Sequence, residues 1–155
     1  MKVVLDTNVL VSGLLSPFGA PGEIVRMVSS GAVTLCLDAR ILCEYRDVLS
    51  RPRFGFDPDA VGALLDLIER EAHLVASSPL PAALADPDDE PFLEIAAACQ
   101  ADCLITGNLA HFPQRSRLGV TVMSPAAFVE RLRSQARQRK GVTGEPCKDG
   151  AHHGR

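Results

Sequence analysis

The stretch Val3-Val4-Leu5-Asp6-Thr7-Asn8-Val9-Leu10-Val11 places a carboxylate between two apolar runs. Val3 to Leu5 is too short for a helix and rich in β-branched valine, so it reads as a buried strand. Asp6 then stands at that strand's carboxyl end. In open α/β sheets this is the edge where ligands bind, in the crevice left by the helices that follow. A local reading competes with it: Asp6 or Thr7 caps a helix that begins here, as both residue types do readily. The segment alone leaves both readings open.

Working outward from this strand, short apolar runs alternate with amphipathic segments. Asn8 to Leu15 reads as a short helical turn broken at Ser16-Pro17-Phe18-Gly19, and Pro21 opens a helix that Gly31 closes. Val33 to Leu37 is a second strand, and Asp38 caps a helix to about Ser50. A loop at Arg51-Pro52-Arg53 leads to a helix over 58–71, then a short strand at 73–76 and a Pro- and Ser-rich loop. Asp86 to Glu90 leads into a helix over 91–100, Cys103 to Thr106 is a strand, and 120–123 is the last one. Ser124-Pro125 supplies an N-cap and first-turn pair for a final helix. Such alternation predicts parallel βαβ units and a three-layer α/β/α sandwich with a mainly parallel sheet. One domain is expected over residues 1–135, followed at 136–155 by a polar, basic segment with no apolar period, read as a disordered tail.

The bulk numbers suit that domain. The chain has 155 residues, enough for one real core, with 46% apolar and 23% charged residues. No apolar stretch approaches the roughly 18 residues of a membrane span. No secretion signal is visible, so a cytoplasmic protein is expected. The five cysteines are odd in number and lack zinc-knuckle spacing, which predicts small buried hydrophobes. Net charge is −3 over the whole chain; residues 136–155 carry five basic and two acidic side chains, +3, which leaves −6 on the body. An acidic body suits nucleic acid only if metal ions neutralise some of its acids.

Several of those acids stand where a free surface carboxylate would not. On the helix after Asp38, Glu44 borders the apolar arc of Ile41, Leu42, Tyr45, Val48 and Leu49 instead of opposing it. Asp86-Pro87-Asp88-Asp89-Glu90 crowds four acids at a helix start, more than capping and the macrodipole require. Thr106-Gly107-Asn108 ends a buried strand in the manner of Asp6-Thr7-Asn8. Oxygen ligands converging on one sheet edge suit hard cations, Mg²⁺ or Mn²⁺, which activate water and offset charge developing on a phosphodiester.

In this order and spacing, Val-Leu-Asp6-Thr-Asn-Val-Leu, Glu44-Tyr-Arg-Asp-Val-Leu-Ser-Arg-Pro-Arg-Phe, Asp86-Pro-Asp-Asp89-Glu-Pro-Phe-Leu-Glu-Ile-Ala and Leu-Ile-Thr106-Gly-Asn108 with His111-Phe112-Pro113 are distinctive. They resemble the PIN-domain family of Mg²⁺/Mn²⁺-dependent ribonucleases, in particular the VapC-like bacterial toxins of toxin–antitoxin pairs. The likeness spans about residues 1–130. It implies that Asp6, Glu44 and Asp89 are the catalytic, metal-holding acids, with Asp89 preferred over Asp88 because it stands seven residues before Ala96. The family's fourth acid falls on Asn108, whose amide oxygen can ligate a cation but adds no charge. Asn8, Ser12 and Thr106 would support the site, and Arg51, Arg53, Arg115 and Arg117 are candidates for holding RNA phosphates. An antitoxin partner and a homodimer are implied as well. His111 is read as structural. Asn108 keeps a second reading open, a PIN-like module that binds RNA or a protein without cutting.

Other chemistries fit less well. A phosphoaspartate enzyme would want a second aspartate where Asn8 stands, and it or a receiver domain would want a lysine in the body of the fold. Lysines occur only at positions 2, 140 and 148. No glycine-rich phosphate loop follows the first strand.

Overall fold

The structure is a computed structural model that describes residues 1–142. It is a five-stranded sheet flanked by helices, with β1 (Lys2–Leu5), β2 (Thr34–Leu37), β3 (His73–Leu74), β4 (Cys103–Ile105) and β5 (Val122–Met123) in the order β3-β2-β1-β4-β5. Every pairing is parallel, so each strand reaches the next by a crossover: helices make those before β4, and the segment between β4 and β5 crosses with two 3-10 turns. The strand at the centre is the one that carries the opening apolar run: Val3 pairs with Leu35 of β2 and with Cys103 of β4. Val3, Val4 and Leu5 are completely buried, as an interior parallel strand requires.

Six helices cover the faces: α1 (Thr7–Leu15), α2 (Ala20–Ser30), α3 (Ala39–Leu49), α4 (Pro58–Glu71), α5 (Glu90–Ala98) and α6 (Pro125–Val142). α1 packs on α2, and α2 on α6. The first of these contacts is close at Gly13, where a Cβ would stand 2.6 Å from Val25; Gly22 lies equally tight against the loop between the two helices, where a Cβ would stand 2.1 Å from the Pro17 carbonyl oxygen. An Arg133–Glu23 ion pair at 3.1 Å joins α6 to α2. The core is aliphatic, with Tyr45, Phe92, Phe112 and Phe128 as its largest buried side chains.

The expected layers and strands are present, with shifted ends. The first helical turn is a full nine-residue helix. The 73–76 strand is only two residues long. The acidic segment opens with a 3-10 turn over Pro87–Asp89 before α5 begins. The final helix does not stop near residue 135 but runs to Val142, so the first part of the expected tail is helical. Ala, Arg, Gln and Lys are good helix formers, and propensity carries the helix on where the apolar period has faded. The rest of that tail, 143–155, lies outside the described residues, as do Cys147, Lys148 and Arg155. Cys36, Cys99 and Cys103 are buried as expected, and burial pushes the Cys36 thiol up to about 12 and the Cys103 thiol up to about 11. Cys43 departs from the expectation: it is exposed, on the outer side of α3. No helix among the described residues is long and apolar enough to cross a membrane.

Candidate active site at the carboxyl edge of the sheet

β1 and β4 are neighbours, and their parallel pairing brings their carboxyl ends together. The Asp6 amide donates to the Ile105 carbonyl at 3.0 Å, carrying the ladder one residue past the strand. Asp6 and Thr106 therefore meet across the sheet edge although 100 residues separate them, and the Thr106 hydroxyl donates to Asp6 Oδ2 at 2.7 Å. Asp6 occupies the N-cap position of α1, yet its side chain makes no cap hydrogen bond. The carboxylate is aimed across the edge toward Thr106, so the capping role the opening segment offered is not one the Asp6 side chain performs. It is 5% exposed and Thr106 is fully buried, so water does not supply what the hydroxyl supplies.

Glu44 reaches the same place from α3. The next residue, Tyr45, is completely buried and donates its hydroxyl to the Leu5 carbonyl at 2.5 Å, pinning α3 to the end of β1. The Thr7 hydroxyl donates to Glu44 Oε2, so two consecutive α3 residues are tied to the segment around Asp6. Burial raises the Glu44 carboxyl above its usual range, against the Thr7 bond, and the charges of Asp6 and Asp88 add to the rise while Arg51 opposes it.

The acidic helix start divides its labour. Asp86 is the cap, accepting from the Asp88 amide at 2.9 Å. Asp88 is exposed. Asp89 is 8% exposed and makes no cap bond of its own. Burial pushes the Asp89 carboxyl up to about 6; His111, when protonated, pulls it down, and Asp6, Asp86 and Glu44 push it further up. Its Oδ2 is a buried oxygen with no hydrogen-bond partner. His111 Nδ1 stands 3.0 Å away, an ion-pair contact when the ring is protonated, and no hydrogen bond reaches the oxygen. Buried polar atoms of this kind are rare and call for an explanation.

Asn108 follows Thr106 and is exposed; its backbone amide donates to Thr106 Oγ1 at 3.1 Å, and its side-chain Nδ2 lies 2.7 Å from His111 Nε2. Asn8 and Ser12 are exposed on α1, and neither side chain bonds to the carboxylates. Of the four arginines, Arg51 acts on Glu44 through its charge and pairs with Asp47 at 3.2 Å. Arg53 lies 4.7 Å over the Phe54 ring. Arg117 braces its loop by donating to the Phe112 carbonyl at 2.8 Å, and Arg115 is exposed on a 3-10 turn.

Thr7, Tyr45 and His111 are positioned here without having been singled out as site residues by sequence. Thr7 sits beside Asp6, but its partner belongs to another helix; Tyr45 reads only as part of an apolar arc. Beside the site, Arg40 pairs with Glu94 and with Asp38, both at 2.7 Å. Glu94 is 8% exposed. This arginine joins the start of α3 to the middle of α5, the helices that carry Glu44 and follow Asp89.

Among the described residues no three acidic, histidine or cysteine side chains already stand as a coordination set. What the edge does present is two carboxyls, Glu44 and Asp89, pushed up by burial and by neighbouring negative charge, that of Asp6 included, and one buried carboxylate oxygen without a hydrogen-bond partner. A hard divalent cation would relieve both conditions, and oxygen donors are what Mg²⁺ and Mn²⁺ select. The residues fit such an ion.

Comparison with known proteins agrees with this architecture. A family profile described as the PIN domain matches residues 2–110. No curated protein matches the chain. Among solved structures, the chain is similar to a chain of VapBC2 from Rickettsia felis bound to a DNA fragment from their promoter. The TM-score is 0.51 at 15% identity, over 80% of this chain and 98% of that one. At that identity the likeness speaks to fold alone.

Proposed function

Because the chain belongs to the PIN-domain family, we propose that it is a divalent-metal-dependent endoribonuclease and the toxin half of a toxin–antitoxin pair. The observation that carries the reading is the buried Asp89 oxygen that no hydrogen bond reaches, beside further carboxylates on the sheet edge where ligands bind. Asp6, Glu44 and Asp89, with the amide oxygen of Asn108, would hold Mg²⁺ or Mn²⁺. When bound, the ion supplies Lewis-acid chemistry: it eases deprotonation of a water and offsets charge developing on the phosphodiester. The protein's part is placement. Thr106 and Thr7 hold the Asp6 and Glu44 carboxylates in fixed rotamers, and Tyr45 holds α3 against β1. Arg51, the arginine whose charge already reaches Glu44, is the best placed to meet an RNA phosphate, and Arg53, Arg115 and Arg117 are further candidates for that contact.

The VapBC2 likeness supports an antitoxin as partner, and a cytoplasmic homodimer completes the proposal. A second reading, a PIN-like module that binds RNA or a protein without cutting, is favoured by the neutral Asn108 whose amide nitrogen is already engaged by His111. Cleavage of RNA with Mg²⁺ or Mn²⁺ decides between them. The nuclease reading expects cutting that disappears on chelation and in Asp6→Ala. Cutting that survives both refutes the metal, and RNA binding without any cutting establishes the module.

A further inference from the structure

His111 touches both Asn108 and Asp89, and the chemistry of the two contacts differs. An amide nitrogen donates and has no lone pair to accept with. The 2.7 Å contact between Asn108 Nδ2 and His111 Nε2 therefore makes Nε2 the acceptor, and the ring proton belongs on Nδ1. Nδ1 is the atom that faces Asp89 Oδ2 at 3.0 Å. The ring is carried on a short turn, Leu109–His111, which is anchored at its far end by the fully buried Phe112 and by the Arg117 bond to the Phe112 carbonyl.

We infer that His111 is a positioning residue of the cation site: it takes up the nitrogen of the Asn108 amide, leaving the amide oxygen as the atom offered to a cation, and presents Nδ1–H to Asp89 Oδ2. This rests on the proposed cation site and gives Asn108 a defined orientation there. A side-chain amide presents oxygen or nitrogen according to what bonds it from behind; without His111 the Asn108 amide has no such bond. The approach to Asp89 matters equally: Nδ1 faces Oδ2 at 3.0 Å, and a carboxylate oxygen with two lone pairs keeps one for a cation. Outer partners of this kind change metal affinity by roughly 10–100-fold when removed.

The test uses the full chain, with MnCl₂ as the probe ion in titration calorimetry and nitrogen NMR of labelled histidine. The expected tautomer of His111 has Nδ1 protonated and Nε2 bare. His111→Phe keeps the ring's bulk but neither polar contact, and Mn²⁺ affinity falls by roughly 10–100-fold. His111→Gln, whose amide offers one donor and one acceptor, recovers part of that loss, which a merely packing role would not produce. A ring protonated on Nε2, or equal Mn²⁺ affinity in wild type and His111→Phe, overturns the inference while the metal site stands. Absence of Mn²⁺ binding by the wild type overturns the metal site itself and the inference with it.

Discussion

Replacing Asp89 with asparagine should make the metal-free protein more stable at neutral pH. The Asp89 carboxyl is pushed from 3.8 up to about 6, mainly by burial. Between about pH 4 and 6 the native state therefore holds a proton that the unfolded chain has released. By linkage, the stability this proton confers is complete below about pH 4 and is lost as pH rises through about 6. A rise of some two units corresponds to about 2–3 kcal/mol at neutral pH. Asparagine has nearly the same shape and carries no charge at any pH. In chelator, Asp89→Asn should match wild type near pH 4 and exceed it by about 2–3 kcal/mol above pH 7, a melting temperature higher by roughly 4–12 °C. Denaturant unfolding at pH 4, 5, 6 and 7.5 measures the difference directly. Added Mg²⁺ should raise the stability of wild type alone, through preferential binding to the native state. A variant less stable than wild type at pH 7.5, or a difference that does not vary with pH, refutes the reasoning.

Three further outcomes follow from the same contacts. Thr106→Val removes the donor to Asp6 in a place closed to water; a loss of about 1.5–3 kcal/mol is expected, read by thermal melting in chelator, and a shift under about 1 °C would contradict it. Tyr45→Phe leaves the Leu5 carbonyl without its hydroxyl donor, at a cost of about 1 kcal/mol by denaturant unfolding, with a larger proportional loss of Mn²⁺ affinity because α3 carries Glu44. Arg40→Ala leaves Glu94 buried and unpaired and should cost about 1–2 kcal/mol, the half-exposed arginine moderating the effect; adding Glu94→Gln should return most of it.

The fold was legible because β1, β2, β4 and β5 are short apolar runs closed by a polar residue, and the helices carry usable start signals. Asp6 was legible for the same reason, since a carboxylate amid Val and Leu demands a partner. What could not be read was who that partner is. Thr106 meets Asp6 only because β1 and β4 are neighbours in the sheet, and chain order does not dictate that adjacency. Tyr45 showed its ring to the pattern but not its hydroxyl. His111 reads as an ordinary loop histidine until the turn that bears it is laid beside Asp89. The extent of α6 was missed because apolar periodicity is blind to a helix sustained by propensity on an exposed surface.

The span between Asp6 and Thr106 has a consequence for timing. The first acid emerges at the start of synthesis, but the strand that backs it does not exist until 100 residues later, and Asp89 is aligned only when its helix lies on that sheet. Loop closure over such a distance comes late in folding. A chain still on the ribosome, or one that ends before β4, has its acids but lacks the Thr106 that holds Asp6. In a fold of this design the acid-lined edge is completed only when the last third of the molecule is in place.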